Sequence, residues 1–279
     1  GPSTPAGRVA CDGGNGGGIY MDGVGNELTI CGCRVAGNTG NDFGGGVFRV
    51  ANAERPATDI DLSTFENNEL LPDDFGLGGG LYLQGNAITI DATTISGNRA
   101  NGAGGLFIGP NSSVDLPNVT MDGNTAKSGL GGGLFTGDET TGMLLNCTLT
   151  RNAAPGDVAF AGAIAGGGGM TMRNTVVAYS VAGNGWNPIS CTRTLTDGGG
   201  NFQWPIDRAG GGSDDPDALC AAGAQLIDPL LGALADNGGP TRTVLPADGS
   251  PVLGAGTGCP STDQRGEPRS RCDSGAVER

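Results

Sequence analysis

The chain has no histidine and a single lysine, Lys127, so any acid–base chemistry it performs must rest on carboxylates. Aligned by its repeats, the sequence places Asp61 and Asp115 at one outward position two coils apart, with Asp91 two residues further along in the coil between. Two coils of ~4.8 Å each separate the first pair by about 9.6 Å at Cα, near the ~6.5–9.5 Å carboxyl spacing of inverting glycosidases. Asp61, Asp91 and Asp115 are therefore the candidate catalytic set. The competing reading, which carries more weight, is solvated aspartates on an acidic protein with 29 Asp and Glu against 15 Lys and Arg. A lyase would want a cationic base beside a calcium-bound uronate, whereas Lys127 falls in a turn and Arg34, Arg151 and Arg173 are scattered. Asp214, Asp215 and Asp217 after Gly210-Gly211-Gly212, and the Asp73-Asp74 pair, carry oxygen ligands of the kind calcium takes. They match no calcium-loop pattern, and the simpler reading is flexible acidic loops, so no metal or other cofactor is assigned. A net charge of −14 excludes nucleic acid as a partner, because it repels phosphate.

Eight cysteines without a CxxC pair suit disulfides in an oxidising compartment better than zinc. Cys33 and Cys147 occupy one inward position four coils apart, about 19 Å at ~4.8 Å per coil, beyond the ~7 Å Cα limit for a bridge. They are expected to be buried free thiols. The other six pair most simply as Cys11 with Cys31, Cys191 with Cys220, and Cys259 with Cys272.

The elements that position these residues come from a repeat. A glycine run followed by an aliphatic and an aromatic residue occurs five times, as in Gly78-Gly79-Gly80-Leu81-Tyr82, with steps of 28, 34, 25 and 28 residues between copies. A degenerate sixth copy lies around Gly162 to Gly169. Within each copy the aliphatic residue and its aromatic neighbour must face opposite sides of a strand. Assigning Ile19, Val47, Leu81, Leu106 and Leu134 inward sends Tyr20, Phe48, Tyr82, Phe107 and Phe135 outward, at the cost of turning Arg49 inward. The five aromatics then form a stripe about 20 Å long at ~4.8 Å per coil, a binding or assembly surface to be covered by the chain's own tail, a glycan or a second subunit.

After each run comes a second module, clearest at Ile88 to Asn98, whose period-2 alternation marks a strand with one buried face. Units this short bury nothing alone and must stack. Three short strands per ~25 residues wound in one sense give a parallel β-helix. Glycine at 56 of 279 positions argues against long helices, since each costs a helix roughly 1 kcal/mol. Asn38, Asn98, Asn124 and Asn152, with Asn67 or Asn68, share one register and are expected to form an internal ladder. Outward threonines make two rows: Thr29, Thr89 and Thr171, and Thr94, Thr120 and Thr148. An ice-binding face would use such rows, but aspartates interrupt the first. The sequons at Asn111, Asn118 and Asn146 are best explained by chance.

From Gly183 the pattern changes. Asp228 to Thr241 (DPLLGALADNGGPT), Gly249-Ser250-Pro251-Val252, Cys259-Pro260, Thr262 to Gly266 (TDQRG) and Cys272 to Glu278 (CDSGAVE) resemble the closing segment of the choice-of-anchor Q family of bacterial extracellular β-helix proteins. The upstream repeats resemble its body. The resemblance implies export and display at a cell surface through an anchor that follows the Gly-Ala-Val-Glu segment. It supplies no catalytic residues.

The sequence thus predicts an all-β, single-stranded right-handed parallel β-helix (solenoid) with an irregular disulfide-stapled C-terminal cap. The expected divisions are an N-terminal cap at 1–15, about six coils over 16–182, and a continuation and capping segment at 183–279. No apolar run is long enough to span a membrane as a helix. Two functional classes remain: a non-catalytic extracellular or cell-surface protein, structural or adhesive, self-associating into fibres or holding a surface glycan; and a polysaccharide-active hydrolase or lyase on the same scaffold. A groove with convergent Asp or Arg side chains would distinguish them.

Overall fold

The repeat closes into a solenoid because every coil spends its apolar residues on one side of each short strand. In the third coil, Leu81 and Leu83, then Ile88 and Ile90, then Ile95 all turn inward and are at most 2% exposed. A computed structural model describes residues 14–23, 25–51, 56–71, 76–85, 87–184, 189–205 and 219–279. Its strands stack into four parallel sheets of six, seven, seven and six strands. In the third coil these are Leu81–Gln84 in the first sheet, Ile88–Asp91 in the second, Thr94–Ser96 in the third and Arg99–Ala100 in the fourth. The protein is an all-β right-handed parallel β-helix of about six turns, and no helix occurs among the described residues. The expectation of three strands per coil falls short by one. The fourth sheet is built of two-residue strands, too short to show alternation in a sequence.

The glycine run is a steric requirement. A Cβ on Gly79 would lie 2.5 Å from backbone atoms of both Arg99 and Gly104, so the coil can pass its neighbours there only without a side chain. Gly78 before it has φ of 76°, a left-handed conformation that glycine adopts freely. The aliphatic residue then turns to the core, in the expected series Ile19 to Leu134, and Ile164 continues it in the sixth coil. Arg49 does turn inward, in register with Leu83, and is fully buried. Its guanidinium escapes at the corner, where Nη1 donates to Val50 O at 3.0 Å and Nη2 to Asn26 O at 2.5 Å. Burial lowers its pKa, partly offset by Asp22.

The asparagine ladder runs through five coils, with Asn68 rather than Asn67 as its second member. Asn98 shows the pattern: its Oδ1 accepts from Asn68 N and Nδ2 at 2.9 and 3.0 Å, and its Nδ2 donates to Asn124 Oδ1 and Phe65 O. The chain Asn38, Asn68, Asn98, Asn124, Asn152 continues this bonding unbroken. A buried amide is thereby satisfied on both sides, which keeps polar atoms in the solenoid without the cost of an orphan.

Beyond the sixth coil, Thr196–Asp197 and Phe202–Trp204 extend the second and third sheets. Residues 219–225 add single bridges, Leu195 to Ala221 and Phe202 to Gln225. Disulfide Cys191–Cys220 staples this continuation, and Cys259–Cys272 the segment after it. That later segment lies along the outer flank of the third sheet. It begins with Tyr179 donating to Asp228, forms an antiparallel hairpin of Leu231–Ala235 with Thr243–Pro246, and reaches back to Glu66 of the second coil through Arg242. It then returns, so that Asn146 donates to Asp273 O and Asn174 to Thr257 O.

Candidate functional site

The outward aromatics stack as one column on the first sheet. Ring centroids are 5.2 Å apart for Tyr20 and Phe48, 5.1 Å for Phe48 and Tyr82, 4.8 Å for Tyr82 and Phe107, and 5.4 Å for Phe107 and Phe135. The stripe is outward as expected and largely covers itself. Phe48 and Phe107 are only 6% exposed while Tyr20 is 56% exposed, because each interior ring is covered by its two neighbours and Phe43 leans on Tyr82 at 4.9 Å. The chain's own tail covers a different sheet.

The column ends at the sixth coil, where Ala165 occupies the position paired with Phe135. A methyl group in place of a ring leaves Phe135 half-buried, and beside it opens a cleft of about 750 Å³. Phe135 and Phe160 supply its apolar walls; Asp138, Glu139 and Arg193 supply its charges. Gly166 to Gly169 form the floor. A Cβ on Gly166 would meet Thr136 O at 2.2 Å, so glycine lets the floor lie directly on the coil beneath. Thr192 Oγ1 and Thr136 Oγ1 accept from the N–H groups of Gly166 and Gly167 at 2.8 and 2.6 Å. Asp138, Glu139 and Arg193 are exposed and form no ion pair with a described residue, leaving their hydrogen-bonding capacity for a ligand. Ring faces beside unpaired carboxylates and a guanidinium suit a polyhydroxylated ligand: rings take C–H faces, charged groups take hydroxyls.

The expected carboxylate set divides differently. Asp61 pairs with Asp91 and with Cys31 on adjacent coils, whereas Asp115 pairs with Thr89, in the row of Asp59. The alignment of Asp61 with Asp115 was out by two residues. Asp61 and Asp91 are half-buried, and each has a buried Oδ1 without a hydrogen-bond partner. Burial raises the pKa of Asp91; the Ala92 N–H and Asn118 oppose the shift, and the Asp61 charge adds to it. The Cys31 thiol is also raised, first by its hydrogen bond to Asp61. Neither aspartate lines the cleft, and Asp115 instead borders a small apolar recess with Pro117, Met143 and Leu145.

Cys33 and Cys147 share a register with Ser63, Thr93 and Thr175, as read, but Cys33 is exposed while Cys147 is buried. The coil of Cys33 is the first of those described, with no described coil stacked beyond it. Cys31 is a free, exposed thiol among the described residues, and its expected partner Cys11 lies outside them. Asp73, Asp74, Asp214, Asp215 and Asp217 lie outside the described residues too. Among the described residues, no group of three His, Cys, Asp or Glu could hold a metal ion. Thr94, Thr120 and Thr148 are buried beneath the tail, so that row presents no ice-binding face. Asn118 and Asn146 are buried turn residues with φ of 52° and 51°, and both bond the tail. Lys127 is tied to Glu69 and Leu70 O.

Phe160, Asp138, Glu139 and Arg193 were missed as a group. The one legible signal was the sixth copy's Ala165 in the place of an aromatic residue.

Residues 15–185 match the family model described as right handed beta helix region, more than half of the chain, and the chain belongs to that family. No curated protein and no solved structure gives a significant match.

Proposed function

We propose that this is a non-catalytic extracellular or cell-surface β-helix protein with an adhesive role, whose ligand is a glycan held in the cleft at the end of the aromatic column. The observation that carries the reading is the Phe135–Phe160 wall beside three unpaired charged side chains. Two disulfides support an oxidising compartment, and among the described residues no helix is long and apolar enough to cross a membrane. The resemblance of the tail to the choice-of-anchor Q family supports surface display.

A polysaccharide hydrolase on the same scaffold is the alternative, since the cleft contains carboxylates. Against it, Asp138 and Glu139 are consecutive, exposed residues of one turn, whereas a glycosidase places its two carboxyls on either side of the scissile bond. The reading therefore gives them hydroxyl recognition.

Glycan-array screening followed by calorimetry tests this. Phe160→Ala and Arg193→Ala should each weaken binding of the selected glycan about tenfold, the equivalent of ~1.4 kcal/mol, with no release of new reducing ends on prolonged incubation. Undiminished binding in both variants rejects the site, and release of shortened glycan replaces adhesion with hydrolysis.

A further inference from the structure

The tail hairpin and the solenoid border a further, open recess of about 360 Å³ at the corner between the third and fourth sheets. The turns at Gly97 and Gly123 line it on the solenoid side and Ala233 and Leu234 on the hairpin side, with Arg151 and Arg242 among its walls. A Cβ on Gly123 would meet nothing within 4 Å, so that part of the recess is open space.

Two observations point to an occupant. The lining residues carry two guanidinium groups against one carboxylate, Asp122, within a protein of net charge −14. Arg151 Nε donates to Asp122 Oδ1 at 2.8 Å, its buried Nη2 lies 2.8 Å from the same oxygen without making a hydrogen bond, and Arg242 Nη2 donates to Glu66 at 2.5 Å. A guanidinium has five N–H groups, so each retains unused donors. Independently, Ser96 lines the recess, is 4% exposed, and its Oγ has no hydrogen-bond partner. A buried hydroxyl is rarely left unpaired without a missing water or ion.

We infer that this recess is an oxyanion site, taking a carboxylate or sulfate group between Arg151 and Arg242 with the Ser96 hydroxyl as a third donor. Planar forks favour such groups bidentately. The oxyanion is either free in solution or borne on an acidic sugar. No residue of this recess lines the aromatic cleft, so the inference does not rest on the adhesive reading.

The test is the melting temperature of the full chain in sodium sulfate against sodium chloride at matched ionic strength, for wild type, Ser96→Ala and Arg151→Gln. Ligand binding to the folded state gives a rise that follows site occupancy. The wild type should show a sulfate-specific rise described by a single-site midpoint, smaller in Ser96→Ala and absent in Arg151→Gln. If Arg151→Gln fails to fold, Ser96→Ala, which deletes only the hydroxyl, carries the comparison. A linear rise of equal slope in all the folded proteins overturns the site as general salting-out. Glucuronate and a glucuronate-containing oligosaccharide distinguish the sources: a lower midpoint for the oligosaccharide assigns an acidic glycan, and equal midpoints assign a free ion.

Discussion

Gln264 of the tail joins two coils of the solenoid: its Nε2 donates to Thr94 Oγ1 at 2.8 Å, and its Oε1 accepts from Thr120 Oγ1 at 2.5 Å. All three side chains are buried. Truncating the amide removes its bonds to Thr94, Thr120 and Thr241 and leaves the buried Thr120 hydroxyl without a partner, while Thr94 keeps its bond to Arg242 O; such an orphan costs about 1–3 kcal/mol and the other two bonds add to it. Gln264→Ala should therefore lower unfolding stability by roughly 2–4 kcal/mol, read from urea melts. A change below about 0.5 kcal/mol, the usual range of surface substitutions, would mean that the tail does not seat on the threonine row.

Two glycines should respond very differently to alanine. At Gly79 a Cβ lies 2.5 Å from the backbone of both Arg99 and Gly104, which no rotamer change relieves. Gly79→Ala should cost more than about 3 kcal/mol or abolish folding. Gly123 has open space around its Cβ position and φ of 65°, so Gly123→Ala should cost only the left-handed backbone penalty of about 1–2 kcal/mol. Chemical denaturation of the pair checks the ranking.

Asp91 gives a pH signature. Burial holds its folded pKa above the ordinary 3.8, so the folded state binds its proton more tightly than the unfolded state does. That contribution is fully present below the unfolded pKa and is lost as pH rises through the folded pKa. Asp91→Asn should be more stable than wild type at neutral pH, and the advantage should vanish below about pH 3.8. An advantage independent of pH would assign the effect to packing instead of ionisation.

The free thiols should separate by accessibility. Cys147 is wholly buried, and burial pushes its thiol up to about 12, whereas Cys33 is exposed. Iodoacetamide should label Cys33 in the folded protein and Cys147 only after denaturation, since the thiolate is the reacting form. Peptide mass mapping decides, and native labelling of Cys147 would place it outside the core.

The inward and outward assignments were legible because Leu81 beside Tyr82 repeats at a fixed place after each glycine run. The register of Asp61 was not, because a 34-residue step separates the second and third glycine runs and the strand Thr58–Asp61 (TDID) offers two phases with similar alternation. The seat of the tail was also hidden: Gln264 alone reaches the threonines of two coils, while the carboxylates of Asp263, Asp273 and Glu278 bond within the tail, at positions with no period to detect. Glu278 illustrates this. Desolvation pushes its carboxyl up, but the N–H groups of Ser270, Arg271 and Cys272 outweigh it and hold the pKa below the ordinary value. Nothing in Gly-Ala-Val-Glu announces such a nest.

A plain solenoid resembles a zipper, able to open one tooth at a time from either end because each tooth holds only its neighbours. The path of the tail removes that freedom. By touching Glu66 in the second coil and Asn174 in the sixth, it makes early loss of one coil also the loss of contacts several coils away. A nascent chain that has delivered its first two hundred residues possesses nearly all its coils but none of these seams. Its coils can still open one by one, and that freedom is removed only when the tail arrives.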